Sequence, residues 1–381
     1  MRNPLVLAAA LIAACASTAA PPRSPAPPPA RTTPPPAASL DEATVRATGL
    51  TLAAALSPCD QDKVTALLDR PALRALIEAR APGDDALALV ELFVSTGAVK
   101  LCAWFDDPVE VRLLRVRDVH GVRQALIRKV SAAGVGYFDV RVSVGPDGPR
   151  IVDVYSHNNG TWLDQEIADA LLLSGAEDPM VGVTTMQVNA LDDAGKPADA
   201  LAALDTLPEA TRNTRAIQSW RVAIAGRISP TAYAQAAAER ARRFPDDKPT
   251  PFAAMNRAFM RADFDEALHQ LDLMDAEIGG DPLLDALRAG VIAQRNHPGD
   301  RAIAAALAAH AVVAEPELAM SHAVQLGIAL AQGQWATAVT ALDDLARQVG
   351  FTVPEATLSK MPNAASFLAT PEYQAWRARH P

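Results

Sequence analysis

The stretch GQWATAVTALDDL at residues 333–345 decides the fold of the C-terminal half of the chain. A small residue opens it, and an alanine and two leucines follow at helical spacing. Residues three and four apart share one face of a helix, so the alanine is placed where two helices touch and the leucines where they interlock. The pattern recurs in two earlier stretches, GKPADALAALDTL at 195–207 and ADFDEALHQLDLM at 262–274.

Prolines and small residues divide residues 178–381 at a regular interval. The prolines lie 34 to 38 residues apart and the small residues, which we expect in turns inside helix pairs, lie 33 to 37 apart. The prolines are Pro208, Pro245, Pro282, Pro316 and Pro354, and the turn residues are Gly195, Ser229, Ala262, Gly299 and Gly333. Proline cannot continue a helix, and a period near 34 residues resembles that of tetratricopeptide repeats. We therefore predict an all-α repeat superhelix with a C-terminal cap; the alternative is an irregular alanine-rich bundle.

The resemblance to tetratricopeptide repeats implies a function as well as a fold. Repeats of this family stack into a superhelix whose concave side binds peptides or helices, so we expect a protein partner. Arg221, Arg257 and Arg288 lie on predicted first helices, which face the concave side in that family. They could hold carboxylates of the partner; ordinary solvated arginines are the alternative.

Residues 40–175 have a different pattern, which predicts an α+β domain. Helical stretches are expected at 40–56, 63–80 and 84–105, with Ser39 as the N-cap of the first and Pro71 breaking or starting the second. Apolar and polar residues then alternate, as in β-strands, and a helix follows at 162–173. The strands are predicted at 111–117, 122–130, 136–144 and 151–156, with a tight turn at 145–148. Helices should pack on one face of this antiparallel meander sheet.

Short strand motifs in this domain carry a second resemblance. Gly136-Tyr137-Phe138-Asp139-Val140, Ile151-Val152-Asp153-Val154-Tyr155 and Gly160-Thr161-Trp162-Leu163 look like a bacterial domain of cystatin-like or nuclear-transport-factor-like fold. Sheets of that kind can curl around a pocket. The resemblance thus implies an alternative function, small-ligand binding or catalysis in the α+β domain, with Tyr137, Tyr155 and His157 lining the pocket.

The N-terminus predicts export. Arg2 precedes an apolar run too short to span a bilayer, as in a signal peptide over residues 1–20. The run ends in Leu11-Ile12-Ala13-Ala14-Cys15, which resembles a bacterial lipobox and implies lipidation of Cys15. Residues 21–39 are rich in proline and predict an extended spacer. We expect an outer-membrane lipoprotein that faces the periplasm and contacts the membrane only through its lipid; cleavage without lipidation, giving a soluble periplasmic or secreted protein, is the alternative.

The remaining chemistry-bearing residues predict no active site. Cys59 and Cys102 could form a disulfide in an oxidising compartment or remain buried thiols. The histidines are dispersed, with His120 and His157 at predicted strand ends, and no catalytic, metal-binding or cofactor motif occurs. The net charge of -9 opposes nucleic-acid binding, because few phosphate contacts could form. The sequence therefore predicts a non-enzymatic scaffold without a cofactor.

Overall fold

The computed structural model of the protein describes residues 40–80, 94, 97–105, 108–131, 134–174, 179–244 and 250–380. The predicted lipidation site Cys15 and the Pro-rich spacer lie outside these residues. The chain divides into two compact units, of which the first ends at Thr250 and the second begins at Pro251. The first unit therefore holds the sheet and also the first helices of the predicted repeat region.

The first unit is built around one five-stranded sheet whose strands follow chain order, so the predicted meander is confirmed. The strands are β1 Pro108–Val119, β2 Val122–Ser131, β3 Gly134–Gly145, β4 Gly148–Ser156 and β5 Thr161–Trp162. β3 and β4 are antiparallel and joined by the predicted turn, in which Gly148 has a φ of 103°. A side chain at that angle would be strained, which explains the glycine.

Helices precede and follow the sheet, as predicted for an α+β fold. They are α1 Glu42–Leu56, α2 Gln61–Leu67, α3 Arg70–Arg80, α4 Gly97–Trp104 and, after the sheet, α5 Leu163–Ser174. Their apolar sides share one core with the helix-facing side chains of the sheet, which include Phe138, Val140 and Val154. The stretch predicted as a helix at 84–105 lies partly outside the described residues.

One detail of the helix predictions was wrong. The N-cap of α1 is Asp41 rather than Ser39, because the Asp41 carboxylate accepts a hydrogen bond from the backbone N–H of Thr44 at 2.8 Å. The stretch 63–80 is two helices, and the second begins at Arg70, next to the break predicted at Pro71. Leu68 leaves the helix to form a parallel bridge with Ile151, and the Asp69 carboxylate then accepts from the N–H of Ala72 to start α3.

A disulfide joins Cys59, just after α1, to Cys102 in α4. The two Cα atoms are 5.5 Å apart, within the ordinary range for a disulfide. Cys102 is buried beside Leu101 and Phe105, so the bond fixes a short helix against the core.

Reduction should therefore destabilise the protein. Opening a loop of 43 residues should lower the free energy of unfolding by about 4 kcal/mol, since the unfolded chain regains conformational freedom. Urea unfolding with and without a reductant measures this, and the double variant Cys59→Ala/Cys102→Ala should be insensitive to the reductant. An unchanged wild-type curve and an unchanged mass after reduction would show that the bond does not form.

The rest of the described chain is helical, and ten of its helices form five consecutive pairs. In the first unit the helices are α6 Pro179–Asp193, α7 Pro197–Asp205, α8 Glu209–Arg212, α9 Arg215–Ile228 and α10 Pro230–Arg243. In the second unit they are α11 Pro251–Met260, α12 Phe264–Ile278, α13 Pro282–Arg295, α14 Asp300–Ala314, α15 Ala319–Ala331, α16 Trp335–Gln348, α17 Glu355–Leu358, α18 Ala364–Leu368 and α19 Pro371–Arg379. We use the word hairpin for the five pairs α6/α7, α9/α10, α11/α12, α13/α14 and α15/α16, whose members pack against each other.

Every predicted turn residue lies between the two helices of a hairpin. Gly195, Ala262, Gly299 and Gly333 have φ between 57° and 89°, the left-handed conformation that reverses a chain after a helix. Ser229 instead caps α10, with its Oγ accepting from the N–H of Ala232 at 3.1 Å. Pro282 begins α13 at the boundary between two hairpins, while Pro245 lies outside the described residues.

The alanine and leucine pattern of the three quoted stretches is buried throughout. None of its nine residues is more than 4% exposed; they are Ala200, Leu204, Leu207, Ala267, Leu271, Met274, Ala338, Leu342 and Leu345. In the last hairpin these side chains share a core with Phe367, Tyr373 and Trp376 near the C-terminus.

Ala338 offers a test of this packing. Ala338→Leu should lower the free energy of unfolding by about 2 kcal/mol, because its Cβ is fully buried between helices and added atoms would force them apart. Ala336→Leu on the exposed side of the same helix is the matched control and should change stability by less than about 0.5 kcal/mol. Equal effects of the two variants in chemical unfolding would contradict the buried alanine face.

Candidate functional site

The face of the sheet that points away from the helical core carries polar residues. Side chains alternate along a strand, so Tyr137, Asp139 and Arg141 lie opposite Phe138 and its apolar neighbours. Asp139 pairs with Tyr155 across the ladder, and Arg141 pairs with Asp153, which places all of these side chains on the same face. We name this the polar sheet face.

An ion-paired triad occupies the centre of the polar sheet face. Arg117 of β1 donates from Nε to Asp139 Oδ1 at 2.9 Å and from Nη2 to Oδ2. His157 Nε2 lies 2.9 Å from the same Oδ2 and 3.2 Å from Arg117 Nη2. The guanidinium of Arg117 can only donate hydrogen bonds. When Nε2 of His157 carries a proton, it therefore donates to Asp139 and forms no hydrogen bond with Arg117. Burial alone would raise the pKa of Asp139, but the hydrogen bonds from His157 and Arg117 outweigh it and lower the pKa.

Aromatic rings extend the triad toward the sheet edge. The ring of Tyr155 meets the ring of His157 edge-on, with centroids 5.0 Å apart, and lies 5.1 Å from Trp162. The guanidinium carbon of Arg141 stands 3.7 Å from the Trp162 ring centroid, a cation–π contact. Burial lowers the pKa of Arg141, although a guanidinium stays protonated at neutral pH.

A pair of buried carboxyl groups lies next to Arg141. Asp153 Oδ1 accepts from the backbone N–H of Val154 at 3.0 Å and from that of Asp164 at 3.2 Å. Asp164, in the first turn of α5, forms an ion pair with Arg80. Burial, reinforced by the negative charge of Asp164, holds the pKa of Asp153 well above its ordinary value.

Asp153→Asn should stabilise the protein at neutral pH. The wild type loses stability as the pH rises from 3.8 through the raised pKa of the folded state, because the folded state resists ionisation. The amide keeps the accepting oxygen and removes the charge, so the free energy of unfolding at pH 7 should rise by on the order of 1 kcal/mol.

Thermal unfolding between pH 3 and pH 8 measures this effect. The difference between Asp153→Asn and wild type should grow as the pH rises, whereas Asp153→Ala, which also removes the accepting oxygen, should gain less. An Asp153→Asn variant that is no more stable than the wild type at pH 7, or no more stable than Asp153→Ala, would contradict this prediction.

The structure brings together two of the three predicted pocket residues. Tyr155 and His157 are in ring contact, while Tyr137 lies on the same face of β3 and is fully buried. Sequence reasoning missed Asp139, Arg117 and the other charged members; the only available signal was the presence of Asp139 and Arg141 on one face of a predicted strand. His120 is exposed in the β1–β2 turn and does not join the hydrogen bonds of the triad that the structure describes.

Within the polar sheet face, Arg117, Asp139 and His157 satisfy one another's charges, whereas Asp153 lies beside a second carboxyl group. Asp139 and His157 are groups of the kind that transfer protons in general acid–base catalysis, and Arg117 supplies a positive charge beside them. Within the described ranges, histidine, cysteine and carboxylate side chains do not gather in threes to hold a metal ion.

The helical hairpins offer a different kind of surface. Arg221 pairs with Asp205, and Arg288 contacts Asp272, Asp275 and Asp285, so these two predicted carboxylate-binding arginines have carboxylate partners inside the chain. On α6, by contrast, Val183 and Met186 are 49% and 66% exposed, although Val181 and Val188 on the same helix are buried. Exposed methionine is typical of surfaces that adapt to a protein ligand.

Comparisons of the chain with protein-family models, with curated proteins and with solved structures find no match. Of the helices in the described part of the chain, none has the length and apolar character needed to cross a membrane.

Proposed function

We propose that the protein is a non-enzymatic envelope lipoprotein that binds another protein through tetratricopeptide-type repeats. The observation that carries the proposal is the shared construction of the hairpins. Three of them bury the same alanine and leucine face, and four of the five turns contain a left-handed residue at the predicted position. Repetition of one packing unit is how solenoid scaffolds build extended binding surfaces.

The first helices of the hairpins are the proposed binding elements. In tetratricopeptide scaffolds these helices line the concave side, and α6 is the first of them in this chain. Its exposed Val183 and Met186 give an apolar contact surface, and methionine is enriched at protein interfaces. The polar sheet face and its helices form a second module, which we propose to bind or to dimerise.

The proposal also includes a cellular location. A lipid on Cys15 would hold the protein in the outer membrane facing the periplasm, and the Pro-rich spacer at residues 21–39 would keep the folded part clear of the headgroups. The disulfide between Cys59 and Cys102 supports an oxidising compartment.

A second candidate function is small-ligand binding or catalysis on the polar sheet face. The observation in its favour is the grouping of buried titratable residues, since Asp139 and Asp153 have pKa values displaced in opposite directions. Displaced pKa values are common at functional sites but also occur in structural ion pairs. The mutual satisfaction of the triad favours the structural role, so the scaffold remains the leading proposal.

Site-specific photo-crosslinking in living cells tests the scaffold. A photoreactive residue at Met186 should yield discrete protein adducts in a Gram-negative host, because a bound partner would cover that side chain. Val144 at the end of β3 and Val313 on the second helix α14 are matched controls, with 62% and 78% exposure, and should yield none.

The adduct at Met186 should also disappear in a Val183→Glu background, since a charge would remove the apolar anchor. Adducts at Val144 alone would transfer binding to the sheet domain. The absence of adducts at all three positions would contradict the scaffold on this face.

Lipidation is tested by intact mass and detergent partitioning. Wild-type protein from a Gram-negative host should carry the mass of a diacylglyceryl-type modification and partition into detergent, because the lipid replaces a membrane-spanning segment. Cys15→Ala should lose both properties. A soluble, unmodified wild-type product would remove the anchor and leave the repeat scaffold as a separate proposal.

A further inference from the structure

The second hairpin has the opposite charge to the chain as a whole. Residues 209–250 contain eight basic and four acidic side chains, a net charge of +4, whereas the chain carries -9. Within the hairpin, α9 has no acidic residue and α10 has one, Glu239. Like charges on one small surface repel, so such a cluster of arginines destabilises the folded chain unless negative charge compensates it.

The arginines gather at the end of the hairpin where α9 begins and α10 ends. Arg240 donates from Nε to Ser219 Oγ at 3.1 Å, and Arg243 donates to Asn213 Oδ1, which ties the last turn of α10 to the start of α9. Arg215 lies over the ring of Phe244, 5.4 Å from its centroid. We name the arginine end for Arg215, Arg240, Arg242 and Arg243.

Two acidic groups compensate part of this charge: Glu239 accepts hydrogen bonds from Arg242 and Arg243, and Asp169 of α5 interacts electrostatically with Arg215. Arg243 donates to Glu239 Oε1 at 2.6 Å, and Arg242 donates to Oε2. The hydrogen bond from Arg243 and the neighbouring positive charges lower the pKa of Glu239. Positive charge near the C-terminus of α10 also interacts favourably with the dipole of that helix. This interaction does not require four guanidinium groups at one end of the hairpin.

The arginines are accessible. Arg242 and Arg243 have side-chain exposures of 76% and 38%, and Arg215 is exposed. Guanidinium groups match carboxylates with two parallel hydrogen bonds, and the contacts with Ser219, Asn213 and Glu239 limit the freedom that binding would otherwise cost. The arginine end therefore presents exposed guanidinium groups that are already held in position to bind carboxylates.

The character of α10 distinguishes between anionic partners. A helix that binds at a membrane surface exposes large apolar residues beside its basic ones. The exposed positions of α10 other than arginine are small or polar: Thr231, Ala234, Gln235, Ala238 and Ala241. Small side chains let a partner backbone approach but give little insertion into lipid, so charge complementarity favours an acidic polypeptide.

We propose that the arginine end binds an acidic, Asp- and Glu-rich segment of the protein partner. This inference rests on the proposed scaffold function and gives the partner its chemistry. The guanidinium groups bind the side-chain carboxylates, while Val183 and Met186 on α6 form a separate apolar contact. Screening by salt should weaken the charged contact and spare the apolar one.

Binding of a fluorescent oligo-glutamate peptide tests the inference. The full chain carrying Cys15→Ala is used, so that a lipid on Cys15 cannot itself attach the protein to vesicles. Arg215→Gln/Arg242→Gln/Arg243→Gln should weaken peptide binding about tenfold, since each exposed ion pair contributes only modestly. Arg301→Gln/Arg347→Gln/Arg379→Gln changes the charge equally at exposed sites elsewhere and should leave binding within about twofold.

Several results would overturn the inference. They are the absence of salt-sensitive peptide binding, equal losses in the two triple variants, and binding to phosphatidylglycerol vesicles in place of the peptide. Thermal unfolding checks that the variants fold, and the single variant Arg242→Gln, at the most exposed position, should still weaken binding about twofold.

The two proposals fail separately. If a photoreactive residue at Met186 crosslinks a partner but one at the exposed Ala241 of the arginine end does not, the scaffold stands and the arginine end is excluded from its interface. If oligo-glutamate binds but neither position crosslinks a protein in cells, the arginine end binds carboxylates while the scaffold, and with it the protein partner, loses its support.

Discussion

The close contact of two helices across a buried alanine is the interaction on which the helical part of the structure depends. Ala200, Ala267 and Ala338 are fully buried, and aliphatic side chains one and two turns later interlock beside them. Alanine lets the backbones approach and costs little entropy in a helix. Because only the spacing of alanine and leucine is fixed, the outward-facing positions can vary. That freedom allows one hairpin to expose Met186 and the next to gather arginines.

The sheet differs from the hairpins because one of its two faces buries charged side chains. One face meets the helices with apolar side chains, but the other carries buried charge that must be compensated inside the protein. Arg117 and His157 compensate Asp139, whereas Asp153 remains close to a second carboxyl group and has a raised pKa. Such networks specify one arrangement of strands at some cost in stability. This mutual compensation is why we place the proposed binding surface on the hairpins rather than on the sheet.

The sequence was informative wherever a local pattern determines structure. The strand alternation, the turn at 145–148 and the turn residues such as Gly195 and Gly333 were predicted, because each follows from backbone conformation. The N-cap Asp41 was not predicted, since two caps compete locally. A break was predicted at Pro71, but it lies a few residues earlier, at Leu68, because of a bridge to the distant Ile151. The partners of His157 were missed for the same reason: Arg117 and Asp139 are brought to it by strand pairing. The disulfide was left open by the sequence, because the distance between Cys59 and Cys102 is a tertiary property.

Hydrogen–deuterium exchange of the full chain, alone and with the partner captured from the envelope, tests the proposal that the hairpins bind protein most directly. The account predicts added protection in α6 and around the start of α9 and the end of α10, with the exchange of β2, β3 and β4 unchanged. Protection confined to the sheet, or none in the helices of the first two hairpins, would contradict it and transfer the binding function to the polar sheet face.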